Sequence, residues 1–208
     1  MSIRSATMEA HRPEEKELLE LLEEGDVNGA AARVVEIYGQ ELLRFIMSLM
    51  RDEDDAREVF SGVCEQLLSD LPAFEGRSSL RTWLYTVTRR ACYGYKRSWH
   101  QAKRGSLPPE LEEMEARVRT ATRAYLRTET KDKLARLRAS LTRDEQVLLS
   151  LRIDQNLPWD DIARVLADGE LDDAASKQEA AALRKRFERV KQRLRELAVQ
   201  AGLIGEGE

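Results

Sequence analysis

Apolar residues recur three and four positions apart over runs far longer than a strand, and that spacing restricts the chain to helices. The clearest run is Val34, Val35, Tyr38, Leu42, Phe45, Ile46 and Leu49, a buried stripe on a helix from about Gly29 to Met50. Chain breakers are scarce: 11 Gly and 5 Pro in 208 residues do not supply the many turns of a sandwich or barrel. The expected fold is all-α, with one large or two small soluble domains.

Before the long run, residues 14–24 carry Leu18, Leu19, Leu21 and Leu22 on a helix that stops at Gly25. After it, Asp52 to Asp55 suit a helix N-terminus, and Val59, Val63, Leu67 and Leu68 continue that helix to Leu71-Pro72. Ser78 or Ser79 can cap a fourth helix with Leu80, Trp83, Leu84, Val87 and Ala91 inward. Residues 101–130, with Gly105, Pro108 and Pro109 and no clear apolar stripe, read as a partly helical linker. Thr142 and Glu145 have the spacing of a capping box ahead of Val147, Leu148 and Leu151. Asn156-Leu157-Pro158 breaks that helix, Trp159 to Leu166 forms a short one, and a last helix is expected from about Ala180 to Ala198. The resulting division is an acidic N-terminal extension (1–28), a helical domain (29–100), the linker (101–130), a second domain (131–200) and a tail (201–208).

No run approaches the roughly 18 apolar residues of a membrane span, and the N-terminus lacks a basic-then-apolar profile. Cytoplasmic location without membrane insertion is the expectation. Cys64 and Cys92 stand alone, with only His11 and His100 beside them, so no zinc spacing or disulfide scaffold can be assembled. With two His, no Gly-rich phosphate loop and no isolated carboxylate pair, neither a catalytic site nor a cofactor or metal site is expected.

The net charge of -4 hides a strong segregation. Acid is concentrated at Glu14 to Asp26 and at Glu110 to Glu115, whereas Arg77 to Arg104 holds eight basic residues and no acid. Leu183 to Arg195 holds seven basic residues against Glu188. Two such runs beside recognisable motifs favour a polyanion over two solvated helix faces. In the second domain a capped helix, a break, a short helix centred on Ala163 and a basic helix form a helix-turn-helix pattern. Such a unit places its last helix in the major groove. The long acidic connection Ala167 to Glu179 departs from the usual tight turn. In the first domain, Tyr93, Tyr95 and Trp99 alternate with Arg and Lys, which suits stacking of unpaired bases. Phe74, Ser78 and Ser79 can line a pocket for a base drawn out of the stack.

The run Asp55 to Arg97, above all Phe74-Glu75-Gly76-Arg77-Ser78-Ser79-Leu80-Arg81-Thr82-Trp83-Leu84-Tyr85, resembles region 2 of the extracytoplasmic-function sigma factors of bacterial RNA polymerase. The run Leu141 to Leu197 is similar to their region 4. The resemblance implies a non-enzymatic initiation subunit that binds core RNA polymerase through its clamp helices and flap, and promoter DNA through the -10 and -35 elements. It implies polymerase contacts by Asp55, Arg57, Glu58, Glu65 and Gln66. It implies -10 contacts by Phe74, Arg77, Ser78, Ser79, Arg81, Arg89, Arg90 and Arg97, and -35 contacts by Arg184, Lys185, Arg186 and Arg189. An anti-sigma protein is a further partner that the resemblance implies. Three positions depart from the family pattern: Ser61-Gly62 stands for Gln-Glu, Arg90 for Asn and Pro158 for Ser.

Two other readings compete. A stand-alone helix-turn-helix regulator would bind duplex DNA unaided but leaves the aromatic-basic helix of the first domain without a role. A protein-only adaptor would contact no DNA. Complementary charge further predicts that the acidic helix Glu14 to Glu24 folds against a basic DNA-binding face.

Overall fold

A computed structural model describes residues 13–50, 52–98, 106–125, 137–167, 169 and 171–203. Every long regular element among them is a helix: α1 (Pro13–Glu24), α2 (Val27–Leu49), α3 (Glu53–Asp70), α4 (Leu80–Ser98), α5 (Pro109–Tyr125), α6 (Arg143–Leu149), α7 (Trp159–Leu166) and α8 (Asp173–Gln200). The chain divides into two compact units, Met1–Ala124 and Tyr125–Glu208.

In the first unit α2 is the axis, and its stripe is buried as the spacing predicts. Asp26 caps it by accepting a bond from the Gly29 amide, 2.9 Å. Asp52 caps α3 through the amides of Asp54 and Asp55, and a short 3-10 turn at Leu71–Ala73 closes that helix. Phe45 of α2 meets Tyr85 of α4 edge to face, with ring centroids 5.1 Å apart. Cys64 is buried in this core. Burial, and then the charge of Glu115, push its thiol far above the ordinary range, so it is an unreactive packing residue.

Two sequence boundaries shift. The segment expected to be an extension contains α1, whose main partner is α2. Leu18 is fully buried, the Tyr38 hydroxyl donates to the buried carboxylate of Glu15, and Arg33 pairs with Glu17 at 3.0 Å. The acidic helix therefore belongs to this core, with Glu15 and Glu17 bonded to α2. Residues 1–12 lie outside the described residues.

The second shift concerns the expected linker, because α5 is a packed helix of the first unit. It buries Leu111, Glu115, Val118 and Thr122, a four-three-four spacing. Two of those four are polar, which is why no apolar stripe is legible. The Ser61 hydroxyl donates to Glu115 at 2.6 Å and Arg119 reaches the same carboxylate at 3.2 Å, while Thr122 returns its hydroxyl proton to the Val118 carbonyl. Ser61, one of the family departures, is thus the α3 partner of α5. Gly39 allows the close approach: a Cβ there would lie 2.8 Å from Val118 Cγ2 and 3.1 Å from Val35 Cγ1. Gly39→Ala is expected to lower stability by about 1–2 kcal/mol through overpacking despite better helix propensity. Val118→Ala in the same chain should restore part of that loss, a coupling that urea unfolding of the four chains measures.

In the second unit the capping box forms as expected. Glu145 accepts from the Thr142 amide at 2.8 Å, and Thr142 Oγ1 accepts from the Glu145 amide at 3.4 Å. α6 runs into a wider π-type turn, Ser150–Asp154, and Asn156 takes a left-handed conformation, φ 50°, that ends it. Ala163 of α7 is fully buried. The last helix starts seven residues earlier than the sequence indicates: Asp172 caps it by accepting from the Ala175 amide at 2.7 Å, and Asp173 to Glu179 are helical. The connection expected over Ala167 to Glu179 is correspondingly short. Leu183, Phe187 and Val190 are buried, whereas Leu194 and Leu197 are only half-buried.

Candidate nucleic-acid interface

In the first unit the candidate surface is the open face of α4. Ser79 rather than Ser78 caps this helix, its Oγ accepting from the Thr82 amide at 3.1 Å and lying 2.8 Å from Thr82 Oγ1. The preceding loop turns at Gly76, whose φ of 71° favours glycine. Phe74 then lies against Trp83, ring centroids 5.4 Å apart, and both rings are half-buried. Trp83 is therefore part of a surface wall rather than the inward residue its spacing predicts. Trp83, Thr86, Arg90 and Arg97 follow at three, four and seven residues, so they share one helix face, with Arg89 and Tyr93 beside them. The Arg89 guanidinium lies over the Tyr93 ring at 5.4 Å. Arg90 is exposed, and the side chain of Arg97 lies outside the described residues. Arg77 is 61% exposed and pairs with Glu75, while Ser78 donates to the Ser79 carbonyl at 3.3 Å.

Arg81 does not join this face. It points toward α2, where one oxygen of Glu41, Oε1, accepts from Arg81 Nε at 2.6 Å and from the Tyr85 hydroxyl at 2.5 Å. Burial opposes the Arg81 charge, but Glu41 outweighs it and raises the proton affinity of the guanidinium. Burial and the same carboxylate hold the Tyr85 hydroxyl well above its usual range, so it stays a donor. Arg81 orients α4 on α2. Glu41, its anchor, is a residue that sequence reasoning missed, because a lone Glu on an amphipathic helix carries no sign of its partner.

The residues expected to meet polymerase separate into two faces of α3. Asp55, Glu58, Glu65 and Gln66 lie together by helix spacing, whereas Arg57 projects elsewhere and pairs with Glu53 and Asp54. Tyr95 of α4 donates toward both Asp55, 2.7 Å, and Glu58, 2.8 Å. Burial and the two carboxylates raise its hydroxyl above the ordinary range. Gln66 donates to Asp70 at 2.9 Å, and Glu65 is half-buried.

In the second unit the orientation of α8 follows from its buried residues, Ser176, Ala180, Leu183, Phe187 and Val190. One flank meets α6 through Arg186–Asp144 and Arg193–Glu145, 3.6 and 3.5 Å. The other meets α7 through Trp159, whose ring lies edge-on to Phe187 at 5.4 Å, and through the ion pair of Arg164 with Asp173. Opposite the buried face stand Gln178, Ala181, Lys185, Arg189 and Gln192, all exposed. Of the four expected -35 residues, only Lys185 and Arg189 lie on that outward face. Arg184 turns toward Trp159, 5.9 Å from its ring centroid, and Arg186 toward α6. Gln178, absent from the sequence expectation because the helix start was placed too late, can present its amide to the edge of an adenine.

An outward strip of amide and cations on a helix braced by two others can enter a major groove. An aromatic wall continuing into arginines can hold unstacked bases. Among the described residues no cluster of His, Cys, Asp or Glu could hold a metal ion. Comparison with known proteins points the same way. Residues 34–102 match Sigma-70 region 2, a segment containing α4 and its preceding loop. The chain is 26% identical over 133 residues to the RNA polymerase sigma factor YlaC of Bacillus subtilis, covering 62% of this chain and 75% of that one. It is also 30% identical over 60 residues to the ECF RNA polymerase sigma factor SigX of the same bacterium, covering 29% of this chain and 31% of that protein.

Proposed function

We propose that the chain is an extracytoplasmic-function sigma factor of bacterial RNA polymerase and that its two units share promoter recognition. The first unit holds and opens the -10 element on the open face of α4. The second places α8 in the major groove of the -35 element. The observation that carries this reading is the Phe74–Trp83 wall continuing into Thr86, Arg89, Arg90 and Tyr93. A base leaving the duplex loses stacking and needs an aromatic surface, and its phosphates need cations beside it.

Asp55, Glu58, Glu65 and Gln66 form the face offered to the clamp helices of the core enzyme, with Tyr95 fixing the first two. The core enzyme supplies the chemistry, and this chain supplies recognition in the cytoplasm where the polymerase works. An anti-sigma protein would act by covering the α3 face or the α8 face. Co-elution of the purified chain with core RNA polymerase on size exclusion, followed by run-off transcription from pooled templates, tests the assignment. Sequence-specific duplex binding by the free chain, without association with core enzyme, would favour a stand-alone regulator instead.

Phe74→Ala is expected to slow promoter opening by about 5- to 150-fold, since loss of one base–aromatic contact costs about 1–3 kcal/mol. Closed-complex affinity should stay near wild type, because the duplex does not yet use the ring. Stopped-flow detection of unpaired bases separates the two steps. A defect confined to closed binding removes Phe74 from the opening step.

A further inference from the structure

Five cations of the second unit stand beside a carboxylate. Arg138 pairs with Asp154, Arg164 with Asp161 and Asp173, Arg186 with Asp144, Lys191 with Glu188 and Arg193 with Glu145. Among the described residues Arg152 and Arg184, like Lys177, Lys185 and Arg189, have no carboxylate within ion-pair distance. Arg152 and Arg184 share a ring, since both guanidinium groups lie over Trp159, at 5.0 and 5.9 Å from its centroid.

The arrangement is built from three separate parts of the helix-turn-helix. Arg152 comes from the π-type turn after α6, Trp159 is the first residue of α7, and Arg184 lies in the fourth turn of α8. Each part is anchored. Arg152 Nη1 donates to the Leu157 carbonyl at 2.9 Å, just before Pro158 starts α7, and Trp159 rests edge-on against the buried Phe187. The ring attracts each cation, but the two cations repel each other and neither is neutralised. An anion at this place would relieve that repulsion and find two planar donor forks whose freedom is already restricted.

We infer that Arg152, Trp159 and Arg184 form a binding site for the phosphodiester backbone of DNA, an anchor that positions α8 without reading bases. The inference rests on the reading of the second unit as the -35-binding unit. Location supports DNA as the source of the anion. Arg184 is exposed and stands two helical turns from Lys177 on the same side of α8, next to the outward strip of Gln178, Lys185 and Arg189. Lys177, Arg184 and Arg152 therefore extend a row of cations from the edge of the recognition helix onto the preceding turn, as a strand of phosphates requires.

The test is equilibrium binding of the holoenzyme to two promoter duplexes over a salt series, one duplex with its -35 element and one with that element scrambled. Arg152→Gln removes the charge and keeps an amide donor for the Leu157 carbonyl, and Arg184→Gln removes a charge from an exposed helical position. Each variant is expected to lower the slope of log K against log salt by about one and to weaken both duplexes by the same factor. Affinity for core enzyme and the thermal midpoint should stay at wild-type values. An unchanged slope, with or without a lower midpoint, overturns the anchor. So does a loss confined to the intact -35 element, which would make the pair base readers, or a loss of core affinity, which would assign them to an acidic protein surface. Lys185→Ala with Arg189→Ala is the control for the underlying reading. If the holoenzyme does not distinguish the two duplexes and ignores that control, the -35 assignment itself fails. If the control acts and the Gln variants do not, only the anchor fails.

Discussion

Glu41→Ala is expected to destabilise the first unit by about 3–5 kcal/mol, the range for breaking a buried ion pair from one side. The reason lies in what remains. Arg81 keeps its charge with 20% of its side chain exposed, and the Tyr85 hydroxyl is fully buried, so both lose the carboxylate oxygen they share. Domains of this size are stable by about 5–15 kcal/mol, so the loss is a large share of the total. Urea unfolding should show a midpoint lower by about 1 M or more with an unchanged slope. Replacing the whole set, with Glu41→Leu, Arg81→Met and Tyr85→Phe together, should recover most of the loss, because no buried polar group is then left unpaired. A single Glu41→Ala chain as stable as wild type would show that the network is solvated and adds little. The effect reaches function, since Arg81 and Tyr85 set the angle of α4 on α2 and thereby aim its arginines.

Lys185→Ala combined with Arg189→Ala is expected to reduce promoter affinity of the holoenzyme most at low salt. Two lost phosphate contacts lower the salt slope by about 1.8, so the wild-type advantage narrows by about tenfold between 50 and 200 mM salt. These two residues are chosen because they are exposed on the outward face of α8 and, among the described residues, have no ion-pair partner. The resemblance implies Arg184 and Arg186 as well, but neither lies on that face. Arg186 reaches Asp144 of α6 at 3.6 Å, so its loss should disturb the packing of α6 against α8 before it disturbs DNA. Equal salt slopes for the Lys185/Arg189 variant and wild type would remove this face of α8 from the DNA contact.

Helix content, the caps at Asp52 and Thr142 and the choice of Ser78 or Ser79 for α4 were readable from the residues, because each depends on neighbours within four positions. So was the location of both basic surfaces, which needs only the spacing of Arg and Lys along a helix. The α5 helix was not readable. Its buried face includes Glu115 and Thr122, and a carboxylate inside a core looks like a surface residue until its partner, Ser61, fifty-four positions away, is brought to it. The N-terminal helix was misplaced for a similar reason. Its acidic residues outnumber its apolar ones, yet Glu15 and Leu18 are both buried against α2.

Periodicity and charge are local properties, so the residues alone already describe a set of amphipathic helices with two strongly cationic runs. Which cations stay exposed and which are bound within the protein is set by contacts between distant residues. Coulombic pairing and burial act between residues far apart in the chain. They withdraw Arg81 into a network with Glu41, commit Arg186 to Asp144, and bring Arg152 and Arg184 to one ring without a carboxylate.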